Sequence, residues 1–184
     1  MTADPLEIPH KLPSKYYTSI GKIVSSCAHL EHNVENLIWL LLDIKHKEGR
    51  LLTTGMQFRS KLNLLEELAS HYAPNQQIAD SIAELCKASS PLAGIRNDVA
   101  HGVWAHPRSN PKLLYVLRVF GKMKHRIKPE RILYTAESMA EHAKAITKLA
   151  FDARWILIGI HFPPSPTPSP RKSRKKSARS RRGP

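Results

Sequence analysis

A chain of 184 residues with 41% hydrophobic content suffices for one domain with a sizeable core plus a tail, and a formal net charge of +14 calls for a polyanionic partner, nucleic acid or an acidic membrane surface. The two cysteines, Cys27 and Cys86, form no Cys-x-x-Cys pair, which excludes a disulfide framework and fits buried thiols in a reducing compartment. The start carries no basic-then-apolar leader, and the longest apolar runs, 37–42 and 155–160, are too short to span a bilayer, so a soluble, cytoplasmic protein without membrane contact is expected.

Residues 1–13 hold Pro5, Pro9 and Pro13 and read as an extended lead-in. A long helix is expected over about 15–44, where Ile20, Ile23, Val24, Cys27, Leu30, Val34, Leu37, Ile38 and Leu41 form one stripe, with Gly49 marking the break. A second helix over about 56–72 turns Met56, Leu62, Leu65, Leu68, Ala69 and Tyr72 inward and ends before Pro74. Asn75 can cap a third, whose apolar positions continue to Val99. Pro91 interrupts it, so the segment beyond is a separate short piece. Residues 103–106 and 113–120 suggest a β-hairpin around a polar turn. A last helix begins near Thr135 and ends at about His161 before Pro163 and Pro164; Met139 and Trp155 are core candidates on it.

The domain is thus mainly helical, a four- to five-helix bundle over 14–162 with a small hairpin before the last helix. A Pro/Ser-rich linker follows at 163–170, then a tail at 171–184 that holds eight basic residues, no acidic one, and too little apolar surface to repay ordering. Residues 108–131 hold another eight basic residues against Glu130, leaving a net of −1 for everything else. The positive field therefore belongs to Lys122, Lys124, Arg126 and Lys128 in the flank of the hairpin, and to Arg171, Lys172, Arg174, Lys175 and Lys176 in the tail. Such clusters suit sequence-independent, salt-sensitive contact with phosphates.

The stretch 95–102, Ile-Arg-Asn-Asp-Val-Ala-His-Gly, reads as a helix end stopped by a left-handed Gly102. Asn97 and His101, four apart, share a face, and the long side chain of Arg96 reaches the same spot. One patch thus combines a fixed cation, an amide and an imidazole, a set suited to a phosphate. Two other features compete for chemistry. His29, His32 and Glu35 lie on neighbouring turns but lack further ligands at matching spacing, so no metal is expected. A structural role for the cluster itself has His101 capping the helix and Arg96 paired with Asp98, Glu84 or a carboxylate of the first helix.

Arg96, the polar Asn97 and His101, within Arg-Asn-x-x-Ala-His-Gly, resemble the motif of the HEPN superfamily (higher eukaryotes and prokaryotes nucleotide-binding domains), over roughly residues 15–160. The pairs Arg118 with His125 and Arg154 with His161 satisfy the spacing but sit in a strand-like and an apolar run. The resemblance implies a homodimeric, cofactor-free endoribonuclease, a toxin or antiphage effector with an antitoxin or regulatory protein as partner. It assigns His101 as general base or acid, Arg96 as phosphate ligand, and Asn97 as the group that orients the imidazole or donates to phosphate. Val103 stands where some family toxins have a tyrosine modified by a partner enzyme, which argues against that mode of control here. The alternative is a non-catalytic nucleic-acid-binding or regulatory module of the same build.

Overall fold

The computed structural model describes residues 5–120 and 128–162, with the backbone alone at 118–120, 128 and 129. Helix α1 (Ser14–Leu41) starts directly after Pro13 and ends in a turn where Asp43 takes φ 51°. That left-handed residue stops the helix short of Ile44. The stripe faces the core as its period requires, with Ile23, Leu30, Val34, Leu37 and Ile38 sealed from solvent. Each such side chain contributes roughly 1.5–3 kcal/mol relative to exposure.

Helix α2 (His46–Thr53) is not expected from the sequence, in which Gly49 reads as a break. Gly49 lies inside it, because a Cβ there would collide with the indole of Trp39. Glycine is what lets this short helix lie against α1. Helix α3 (Phe58–Tyr72) buries Leu62, Leu65, Leu68 and Ala69, whereas Tyr72, its last residue, projects into solvent instead of inward. Helix α4 (Gln76–Ser89) is capped by Asn75, whose Oδ1 accepts from the amide of Ile78 at 2.9 Å.

Pro91 separates α4 from α5 (Leu92–His101), as its missing N–H dictates. Thr135 caps α6 (Ala136–His161) in a reciprocal pair with Ser138, at 3.0 and 3.1 Å. Helices α1, α3, α4 and α6 close into a bundle in which α1 packs on α6 and α3, and α4 on the same two. On α6, Met139 is sealed in the core, but Trp155 is 67% exposed, so the aromatic stands outside.

The hairpin forms as expected from β2 (Val103–Pro107) and β3 (Tyr115–Phe120), with Val103 opposite Leu117 and Ala105 opposite Tyr115. Two further strands widen it into an antiparallel sheet of order β1-β2-β3-β4. The lead-in contributes β1 (Leu6–Glu7), pairing Leu6 with Pro107, and the chain after the basic flank returns as β4 (Lys128–Leu133). Pro129 is tolerated there because β4 is an edge strand, where a ladder donor is dispensable. Trp104 ties sheet to bundle, its ring 5.7 Å from Tyr16 and 5.9 Å from Tyr134. Among the described residues, no helix is long and apolar enough to cross a membrane. The expected linker and tail at 163–184 lie outside the described residues.

Candidate active site at the end of helix α5

Helix α5 delivers the three motif side chains to one place. Asn97 and His101 are exposed on the same face and Arg96 is half-buried beside them. Arg96 Nη1 donates to Asn97 Oδ1 at 3.0 Å and stands 3.2 Å from His101 Nε2. An arginine N–H only donates, so in this contact Nε2 is the accepting atom. One guanidinium nitrogen thus meets both neighbours, while Nε and Nη2 make no side-chain hydrogen bond among the described residues. No carboxylate pairs with Arg96 among the described residues, in contrast to the structural role weighed for it.

Asp98 does the structural work instead. Two positions on from Arg96, it points into the protein, is 5% exposed, and accepts from the Tyr134 hydroxyl at 2.9 Å. The backbone carbonyl of Tyr134 in turn accepts from the Tyr16 hydroxyl at 3.2 Å. This chain of contacts links α5 to the segment before α6 and to α1, and so fixes the direction of the exposed face. Tyr134→Phe removes a donor from a buried carboxylate and is expected to cost about 1–3 kcal/mol. Thermal unfolding reads this directly; a transition unchanged from wild type would mean that the hydroxyl is not holding Asp98.

Gly102 ends α5 for a reason other than left-handed backbone. Its φ is −74° and ψ 152°, an extended conformation open to any residue. A Cβ, however, would collide with the side chain of Val116 and the carbonyl oxygen of Asp98. Glycine therefore permits the close approach of β3 to the helix end, and its amide donates to Asp98 O at 2.8 Å.

Beside the motif lies a cavity of about 1160 Å³ between α1, α3, α4 and α5, lined by Arg96 and Asn97 together with Arg59, Lys87 and Ser90. Arg59 and Lys87 carry no local pattern that marks them: Arg59 comes from α3, far back in the chain, and Lys87 from the last turn of α4, across the Pro91 break. Glu31 also lines the cavity, but Lys61 holds its Oε1 at 2.6 Å and that of Glu35 at 2.6 Å. Glu35 is thus committed to Lys61, while His29 and His32 line a different groove. Cys27 is half-buried in the cavity wall, and burial pushes its thiol up to about 11, with the charge of Arg96 lowering it and that of Glu31 raising it. It is a protonated thiol at neutral pH and not a nucleophile. Cys86 is fully buried and pushed by burial to about 12.

Of the basic clusters, Lys122, Lys124, Arg126, Arg171, Lys172, Arg174, Lys175 and Lys176 lie outside the described residues. Lys128 opens β4, opposite Phe120. No protein family, no curated protein and no solved structure matches the chain.

Proposed function

We propose that this protein is an endoribonuclease of HEPN type that cuts RNA in the cytoplasm through the RNA's own 2′-hydroxyl. The observation that carries the reading is the contact of one Arg96 nitrogen with both Asn97 and His101, at 3.0 and 3.2 Å, on an exposed helix end beside a cavity lined by further cations. Phosphate entering this place draws the guanidinium into a forked contact and frees His101 Nε2. The imidazole then takes the proton of the 2′-hydroxyl, whose oxygen attacks phosphorus. Negative charge that accumulates on the phosphoryl oxygens is met by Arg96, and the P–O5′ bond breaks. The departing oxygen needs a proton, which a second copy supplies from its own His101 in its imidazolium form. Two copies with their α5 ends facing one cleft thus provide base, acid and paired guanidiniums.

The product ends test the reading. Short single-stranded RNA incubated with the purified protein in chelator should yield 2′,3′-cyclic phosphate and 5′-hydroxyl termini, and DNA of the same sequence should stay intact. Products with 3′-hydroxyl and 5′-phosphate ends, or equal cutting of DNA, would contradict attack by the 2′-hydroxyl.

A further inference from the structure

Cleavage at α5 leaves unused a groove of about 1010 Å³ between α1 and α6. On α1 it is lined by His29, Asn33 and Asn36, which helical spacing puts on the face opposite Val24, Cys27 and Glu31. It is therefore a second place, not an extension of the cavity at Arg96. Its floor is built: Asn33 Nδ2 donates to Ala150 O at 2.9 Å, and the hydroxyls of Ser26 and Thr147 lie 2.7 Å apart. Trp39, 4% exposed, also lines it and carries a buried indole N–H without a hydrogen-bond partner among the described residues.

The chemistry of the walls selects the occupant. Among the described residues no carboxylate lines the groove, whereas Arg154, His29, His32 and His161 do. Arg154 makes no ion pair among the described residues. Two exposed aromatic residues line the same groove, Phe151 at 58% and Phe162 at 77% exposure. Aromatic rings interleaved with cations are what a single strand needs, rings to stack on bases and guanidinium to meet phosphate. A second copy of the chain fits poorly, because a two-fold contact would pair this surface with itself, and its described lining offers no carboxylate to meet Arg154. Phe162 at the rim is also where the chain continues toward the eight basic residues of 171–184.

We propose that the α1–α6 groove seats single-stranded RNA, with bases stacked on Phe151 and Phe162 and a phosphate on Arg154, as a site separate from the cleavage centre. Binding there does not require cutting, so it is tested with a strand that the proposed chemistry cannot cut. A fluorescein-labelled 12-mer of 2′-O-methyl RNA is titrated with the full chain by anisotropy at fixed salt, alongside Arg154→Glu, Phe151→Ala and Phe151→Trp. Arg154→Glu and Phe151→Ala should each weaken binding at least tenfold, and Phe151→Trp should keep wild-type affinity because a stacking face is retained. An unlabelled single strand should compete better than a duplex of equal length, whose base faces are already stacked. Affinity within twofold of wild type for both weakened variants, with circular dichroism unchanged, would overturn the proposal. So would a fall in sedimenting mass in those variants with RNA affinity intact, which would make the groove a contact between copies.

Discussion

Arg96→Ala is expected to lower kcat/KM for RNA cleavage by about 10²–10³, the range seen when one preorganised donor to a developing anion is removed. The position is demanding, because a single guanidinium nitrogen meets Asn97 and His101 while the side chain also lines the neighbouring cavity. Arg96→Lys retains the charge but lacks the planar fork that meets a phosphate through two donors, so it should recover no more than a small part of the loss. The hydrogen bonds that Arg96 makes among the described residues are exposed ones, and the unfolding transition should stay within about 1 kcal/mol of wild type. Single-turnover cleavage of a defined RNA checks both variants. Wild-type rates in Arg96→Ala would remove the guanidinium from the reaction.

Lys61→Met is expected to cost about 2–3 kcal/mol of stability, which is roughly 4–12 °C in Tm for a chain of this size. The Lys61 side chain is 6% exposed, and its ammonium serves Glu31 and Glu35, which are 40% and 20% exposed. Methionine keeps the packing of the stem and leaves two carboxylates facing each other without a cation. Their partial exposure keeps the cost below that of a fully buried pair. Burial by itself would lower the ammonium's affinity for its proton, but the hydrogen bonds and charges of Glu31 and Glu35 outweigh it, and the result lies above the ordinary lysine value. A group raised on folding stabilises fully below its unfolded value, about 10.4, and the contribution disappears as pH climbs through the folded value. The gap between wild type and Lys61→Met should therefore stay constant from neutral pH to about pH 10 and narrow above it. Chemical denaturation at a series of pH values measures this; a gap below about 0.5 kcal/mol at pH 7 would contradict it. The variant should also cut RNA more slowly, because Glu31 and Arg96 line one cavity and an unneutralised Glu31 competes with phosphate for the guanidinium.

The features of this fold that were legible from residues alone are local ones. Pro91 and Asn75 set helix boundaries through a missing N–H and a side-chain acceptor, and Thr135 did the same for α6. The α1 stripe needed only its period. The spacing of Asn97 and His101, with a long arginine next to them, likewise contains the site's geometry within a turn and a half of helix. Features that depend on distant partners were not legible. Strands β1 and β4 exist because β2 and β3 offer edges to pair with, and neither Leu6–Glu7 nor Lys128–Leu133 alternates strongly enough to declare itself. Gly49 and Gly102 looked like breakers, yet one admits Trp39 and the other admits Val116, contacts set by tertiary approach. Asp98 read as one of the carboxylates that could pair with Arg96, yet it turns inward and accepts from Tyr134, a residue 36 positions on. Phe151 and Trp155 show that an aromatic at helical spacing need not enter the core.

All of this turns on whether the imidazole at the end of α5 moves a proton in the cleavage of RNA. Total RNA incubated side by side with purified wild type and His101→Ala, in chelator and at equal concentration, asks the question directly. Wild type should fragment the RNA, and the variant should be slower by about 10²–10⁴ with its unfolding transition unchanged. Equal fragmentation by the two proteins would place the chemistry elsewhere.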